Sequence, residues 1–166
     1  MSDEAEVWTR NKELEQQVRK VAREHEEFAH LRGRLKIAVV FKPKAGKKGM
    51  EIANTRAASE LICALLEPHE VLHYVITIGA DAWAILDEDQ RAFVLRHAMR
   101  HCIGTDPETG KVLVRHHDAE VFFEDLADGL SMTTIKTIVA KARALKVDDR
   151  QLRLLESVAE EEAANG

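Results

Sequence analysis

This chain of 166 residues lacks two features typical of extracellular and membrane-embedded proteins, many cysteines and a long apolar run. There are two cysteines, Cys63 and Cys102, without a Cys-x-x-Cys pair, so no disulfide framework is expected. No apolar run approaches the ~18 residues of a membrane span. The first ten residues also lack the apolar stretch of a signal peptide. We therefore expect a cytoplasmic protein that does not enter a membrane.

Aromatic residues are also few, at 5% of the sequence, so the core must consist mainly of Leu, Val, Ile and Ala. The formal net charge is −5, which argues against a globally basic nucleic-acid-binding protein. Hydrophobic residues at 45% and charged residues at 32% are typical of a soluble globular protein. The length is sufficient for one domain with a substantial core.

The first 33 residues are predicted to form an amphipathic helix, closed by Gly33. One stripe recurs at spacings of three and four residues and contains Val7, Asn11, Leu14, Val18, Val21, His25 and Phe28. Such a stripe either docks on its own domain, which we favour, or forms a homodimeric coiled coil through residues 7–28.

A strand is predicted from Leu35 to Phe41, because this run is short, apolar and rich in β-branched residues. The loop 42–49 that follows contains four lysines but lacks the Walker spacing, so nucleotide binding is not predicted. Weak contact with DNA remains open for this loop.

A helix is predicted from Asn54 to Leu66, and a second strand from His73 to Ile78. The apolar face of this helix would contain Ala57, Leu61, Ala64 and Leu65.

A capped helix with two histidines is the most informative feature of the sequence. Asp87 is a good N-cap, and Gln90 three residues later completes a capping box for a helix to about Cys102. His97 and His101 lie one turn apart on this helix, where two imidazoles project from one face. A turn at 105–110 and a short strand, Val112–Val114, lead to His116 and His117 at the start of another helix. Further helices are predicted from 131 to about 145 and after Asp148.

Two imidazoles on one helical face and a third after a loop are the ligands of a three-histidine zinc site. From the pair alone we would favour ordinary polar residues on a partly exposed helix. A second pair, His69 and His73, matches the metallopeptidase pattern His-Glu-x-x-His letter for letter. That pattern requires a helix, yet Pro68 precedes it and a strand follows. We therefore interpret the His69–His73 match as accidental, and a role for it stays the alternative because Glu70 is intact.

The region from about 36 to 130 resembles a family of small phage-type metallopeptidases with zincin-like architecture. In that family a strand is followed by a tryptophan-containing turn, an acidic-capped helix with His-Glu-x-x-His-Cys, and a helix that begins with His-Asp-x-Glu-x-Phe. The matching residues here are Trp83, Leu86, Gln90, His97, His101, Cys102, Gly110, His117, Asp118, Glu120 and Phe122.

The resemblance implies an α+β fold in which a short mixed sheet packs on the active-site helix. The zincin-like domain would span 34–130, between an N-terminal helix (1–33) and a C-terminal helical extension (131–166). The implied activity is hydrolysis of a peptide bond, in a protein or peptide substrate, by zinc-activated water. A phage-encoded protein of this kind would act in the cytoplasm of the bacterial host.

The resemblance also implies roles for individual residues. His97, His101 and His117 would bind zinc, and His117 is preferred to His116 because it directly precedes Asp118. Asp118 would orient a ligand or cap its helix. Glu120 and His116 are further candidates for groups behind the ligands. Cys102 is expected in the core, with a role as a fourth ligand as the alternative.

Ala98 stands where the family has the glutamate that acts as general base. Three explanations are open: a deliberate replacement that inactivates a peptidase, a natural pseudo-enzyme, or structural histidines without metal. We favour the first two. The alternative function is a non-catalytic zinc-binding module that contacts a host protein or DNA. Its basic residues would be Lys42–Lys48 and the C-terminal cations Lys136, Lys141, Arg143, Lys146, Arg150 and Arg153.

Overall fold

A mixed four-stranded sheet forms the centre of the protein. The computed structural model describes residues 8–44 and 52–116, together with residues 137 and 140. The sheet order is β1-β2-β4-β3; β2 and β4 are parallel, and both outer strands run antiparallel to their neighbours. The strands are β1 (Thr9–Arg10), β2 (Ile37–Lys42), β3 (Ala53–Ala57) and β4 (Tyr74–Gly79). With helices on this sheet, the predicted α+β class is confirmed.

The two central strands confirm the strand predictions to within two residues at each end. All six residues of β4 are buried, and so are the first four of β2. Parallel strands with both faces covered are typically continuous apolar runs, and these segments have that pattern. Segments that do not alternate between apolar and polar residues therefore occupy the middle of the sheet.

The prediction of a helix from Asn54 to Leu66 is wrong for its first half. Residues 53–57 form strand β3 along the edge of β4, and helix α2 begins only at Glu60. Ser59 caps α2, because its hydroxyl accepts a hydrogen bond from the Ile62 amide at 3.3 Å. The predicted apolar face is also wrong: Leu61 and Leu65 are 69% and 74% exposed. Pairing with β4 overrides the local helical pattern.

The N-terminal segment is not one helix over 1–33. Within the described residues it contains β1, helix α1 (Lys12–Glu24) and a 3₁₀ helix (Glu26–Leu31). His25 separates the two helices with an extended backbone, and Gly33 follows with a positive φ of 79°. The buried apolar side chains of this segment, which join the core on the sheet, are Leu14, Val18, Ala22, Phe28 and Leu31. Docking on its own domain is thus confirmed, and dimerisation through 7–28 stays a prediction.

A hydrogen bond and an ion pair, made by Glu15 and Glu27, attach this segment to the rest of the fold. Glu15 is 1% exposed, binds Arg10 at 2.6 Å and accepts the Val39 amide at 3.3 Å. The hydrogen bond from Arg10 to Glu15 raises the pKa of Arg10. Glu27 binds the buried guanidinium of Arg100 at 2.9 Å and 3.1 Å. The α1 segment and the sheet therefore share one core, and the domain boundaries at 33 and 130 stay predictions.

Two helices and a hairpin follow β4. Helix α3 is Ala80–Ala84 and helix α4 is Glu88–Arg100. Strands β5 (Cys102–Thr105) and β6 (Val112–Val114) form an antiparallel hairpin. Strand β6 and helix α4 confirm their predictions, whereas β5 was expected as helix end and turn. Helix α4 packs on the same sheet face as α1, and its contributions to the core are Leu95, Ala98 and Met99.

His117 and the rest of the helix predicted to start at His116 and His117 lie outside the described residues, as does the helix predicted after Asp148. In the predicted helix 131–145, Thr137 and Ala140 are helical. Among the described residues, none of the helices combines the length and apolar character that crossing a membrane requires.

Candidate metal centre

Helix α4, which carries the histidine pair, is capped at its N-terminus by two reciprocal hydrogen bonds. The Asp87 carboxylate accepts the Gln90 amide at 2.9 Å, and the Gln90 side chain accepts the Asp87 amide at 3.2 Å. This confirms the capping box, which typically stabilises a helix by about 1 kcal/mol. The opposite end of α4 is held by Arg100 through its ion pair with Glu27.

His97 and His101 lie side by side at the C-terminal end of α4. Both are half-buried, and their ring centroids are 5.4 Å apart with the planes at 81°. The Phe93 ring lies 6.0 Å from His97 on the preceding turn. The i, i+4 spacing therefore brings the two imidazoles together, as the sequence predicts.

Arg115 fixes the ring of His101. The Arg115 amide donates to the His101 carbonyl at 2.9 Å, and His101 Nδ1 donates to the Arg115 carbonyl at 2.7 Å. Because a carbonyl only accepts, the proton of a neutral ring must reside on Nδ1, and Nε2 carries the lone pair. A backbone carbonyl behind an imidazole is a typical support for a metal ligand.

The described residues provide two of the three predicted zinc ligands. Within residues 8–44 and 52–116, no group of three or more metal-binding side chains comes together. His116 follows Arg115 and is exposed. His117, Asp118 and Glu120 lie outside the described residues. Two adjacent imidazoles, one of them with Nδ1 engaged by a backbone carbonyl, fit the chemistry of zinc binding.

Ala98 lies on the core side of the histidine pair. It is 1% exposed and packs with the buried residues under the sheet. Its carbonyl accepts a hydrogen bond of 2.8 Å from the Thr55 hydroxyl, which ties edge strand β3 to α4. A methyl group at this position has no atom that can accept a proton from water.

Cys102 is a core residue, as expected. The side chain is completely buried, and burial raises the pKa of its thiol. The alternative role of Cys102 as a fourth ligand stays a prediction.

The His69–His73 segment is not helical, as Pro68 and the strand that follows predict. Turns and irregular backbone connect α2 to β4 there, beside an open groove of about 650 Å³. His73 Nδ1 accepts the Lys36 amide at 3.1 Å, and Glu70 pairs with Lys36 at 3.2 Å. Burial, then the charge of Lys36, lowers the pKa of His73. The histidine pair on α4 is not among the residues that line this groove.

Sequence reasoning did not identify Arg115 and Thr55. Arg115 acts through its backbone, which every residue type provides, so its side chain carries no signal. Thr55 was assigned to a helix, and its link to Ala98 depends on strand β3.

One family model matches most of the chain. The model of the family described as "Putative phage metallopeptidase" matches residues 6–143. This chain belongs to that phage metallopeptidase family. The match is longer than the region 36–130 that carried the sequence resemblance, and it includes α1 as well as the histidine pair. No curated protein and no solved structure matches the chain.

Proposed function

We propose that this phage metallopeptidase family member has the scaffold of a zinc-dependent peptidase of zincin-like architecture. Zinc would be held by His97, His101 and His117. The observation that carries the proposal is the pair of hydrogen bonds between His101 and Arg115, at 2.7 Å and 2.9 Å. They engage Nδ1 of one imidazole, so that a neutral ring would present Nε2 to a metal, beside a second imidazole on the same helix.

The same contact supports His117 as the third ligand. Two residues of chain span at most about 7 Å, so the proposed ligand His117 is within chain reach of Arg115, whose backbone contacts His101. His116 is exposed in the described structure, which makes it the weaker candidate. Asp118 and Glu120 are proposed to stand behind the ligands, where a carboxylate orients an imidazole.

The reaction class follows from the family and the ligand set. Bound zinc supplies a Lewis acid and lowers the pKa of a water molecule toward about 7. Three histidines bind the ion without neutralising its charge. A peptidase also needs a group that takes the proton from this water, and Ala98 cannot do so. Loss of a general base typically costs about 10² to 10⁴ in rate, so the chain as written is proposed to be inactive.

The surroundings of Ala98 favour a general base at this position. Residues 98 and 101 are i, i+3 neighbours, so a longer side chain at 98 would reach toward the histidine pair. Burial at 98 would desolvate a carboxylate and raise its pKa. A raised pKa near neutrality is what a general base needs.

A peptide substrate is compatible with the edge of the sheet. Strand β3 has one neighbour in the sheet of the described residues, β4, and is tied to α4 by Thr55. An extended peptide can add to such an edge through its backbone. We propose a protein or peptide substrate on this basis, in the cytoplasm of a bacterial host.

The second candidate is a non-catalytic zinc-binding module that contacts a host protein or DNA. The observation that favours it is the alanine at 98, since metal binding needs the histidines but not the base. Most of the basic loop 42–48 and all the C-terminal cations lie outside the described residues, so the partner stays a prediction.

The decisive comparison is between the chain and its Ala98→Glu variant, each loaded with one equivalent of zinc. Proteolysis of a peptide mixture, read by mass spectrometry, should appear in Ala98→Glu and stay near background in the parent. Ala98→Gln is the matched control, because it has similar volume but no carboxylate. Zinc binding without proteolysis in all three would favour the binding module, and absence of zinc binding would refute both candidates.

A further inference from the structure

The hydroxyl of Tyr74 lies inside the β5–β6 hairpin. Tyr74 is fully buried at the start of central strand β4, yet its hydroxyl reaches both hairpin strands. It accepts the Gly104 amide at 2.8 Å and lies 2.7 Å from the Gly104 carbonyl. On the other strand it lies 2.6 Å from the Leu113 carbonyl. One hydroxyl therefore contacts three backbone groups on two strands.

This contact coincides with an irregularity of the hairpin. The register shifts between Cys102 and Gly104, where Gly104 pairs with Leu113. A β-bulge leaves a residue unpaired and disrupts the local ladder. The Tyr74 hydroxyl donates to one carbonyl and accepts from one amide at the shifted pair, so it takes the place of a backbone partner. Burial raises the pKa of the phenol, which keeps its proton available for this donation.

The hairpin in turn supports the histidine pair. Strand β6 ends at Val114, and the next residue is Arg115, whose carbonyl accepts from His101 Nδ1. Strand β5 begins at Cys102, the residue after His101. Both ends of the hairpin thus meet at His101, and the central sheet holds its shifted pair through Tyr74.

We propose that Tyr74 is a positioning residue of the metal centre, which fixes the hairpin and, through the Arg115 carbonyl, the tautomer and direction of His101. This inference rests on the proposed zinc site. In this proposal Tyr74 is not itself a zinc ligand, since its hydroxyl bonds Gly104 and Leu113. Its hydroxyl defines where the Arg115 carbonyl lies, and a misplaced carbonyl would let the imidazole rotate or change tautomer. Removal of groups behind a metal ligand typically weakens metal binding by about 10- to 100-fold.

The test is zinc affinity, measured by competition with a chromophoric chelator, in the parent and in Tyr74→Phe. Val39→Ala is the matched control, because Val39 is a fully buried residue of β2 with no hydrogen bond to the hairpin among the described contacts. Tyr74→Phe should bind zinc about 10-fold or more weakly. Val39→Ala should bind like the parent despite its lower thermal stability. Cobalt substitution gives a second readout: the visible d–d bands should shift in Tyr74→Phe only.

Equal zinc affinity and an equal cobalt spectrum in folded Tyr74→Phe and Val39→Ala would overturn the inference while leaving the zinc site intact. Absence of zinc binding by the parent would refute the proposed function and this inference together. If Tyr74→Phe does not fold, hydrogen exchange in the parent decides. Because coupling between two sites is reciprocal, zinc should slow exchange of the Gly104 amide together with that of Arg115. Protection of Arg115 alone would contradict the role of Tyr74.

Discussion

The Arg115 carbonyl accepts a hydrogen bond of 2.7 Å from Nδ1 of His101, and the Arg115 amide returns one of 2.9 Å to the His101 carbonyl. This reciprocal pair joins the end of helix α4 to the end of strand β6. It sets which nitrogen of His101 carries the lone pair. It also places Arg115, which precedes His117 by two residues in the sequence, beside His101. The proposed zinc site depends on this contact more than on the spacing of the two histidines.

The Ala98→Glu variant should be less stable than the parent without metal. Ala98 is 1% exposed, so a larger and charged side chain must displace packed neighbours. Overpacking of this kind typically costs about 1–3 kcal/mol. Zinc should restore part of the loss for two reasons. A ligand that binds only the folded state stabilises that state, and the charge of zinc attracts the carboxylate. Urea unfolding with and without zinc measures both effects. A variant as stable as the parent in the absence of metal would show that residue 98 is not confined.

Stability should fall in mildly acidic solution partly because of His73. Its Nδ1 accepts the Lys36 amide, and burial lowers its folded-state pKa below the usual 6.5. The unfolded chain therefore takes up a proton first as the pH falls below 6.5. The contribution of His73 is complete above that pH and is lost as the pH falls through the folded-state pKa.

His73→Asn tests this assignment, because an amide oxygen can accept the Lys36 amide but does not titrate. Its unfolding midpoint in urea should depend less on pH than that of the parent. The range to measure is roughly pH 7.5 to 5.5, which brackets the ordinary histidine pKa of about 6.5. His69→Asn is the control, since His69 is exposed in the same segment. An equal pH dependence in all three proteins would rule out His73 as a source.

The ion pair between Arg100 and Glu27 should matter more than ion pairs on the surface. The Arg100 side chain is 2% exposed and that of Glu27 is 32% exposed, so loss of the carboxylate leaves a buried cation with less compensation. We expect Glu27→Gln to lower the free energy of unfolding by about 2–3 kcal/mol, below the full cost for a wholly buried pair. Glu24→Gln breaks the exposed pair with Lys20 and should cost less than about 0.5 kcal/mol. Similar losses in the two variants, measured by urea unfolding, would contradict this ranking.

The sequence predicted the parts of the fold that local chemistry determines. The capping box at Asp87 and Gln90 and the apolar runs of β2 and β4 specify their elements without help from distant residues. Strand β3 could not be predicted, because residues 54–66 have a helical pattern and only pairing with β4 makes the first of them extended. Hairpin strand β5 was missed for a similar reason, since its partner lies about ten residues along the chain.

The candidate site also has features that follow from the local sequence and features that depend on distant residues. The His97–His101 pair follows from helical spacing, and rejection of His69–His73 follows from Pro68 and the adjacent strand. The support by Arg115 and Tyr74 could not be read from the sequence. One acts through its backbone, and the other is a buried aromatic residue whose hydroxyl meets a hairpin 30 or more residues away in sequence.

Zinc stoichiometry of the purified chain tests the central claim most directly. The protein should be measured by elemental analysis after dialysis against zinc and then against metal-free buffer, beside His101→Ala and His69→Ala. The zinc-site proposal predicts one zinc per chain in the parent and in His69→Ala, and a large loss in His101→Ala. A parent without zinc, or His101→Ala that retains a full equivalent, would contradict it.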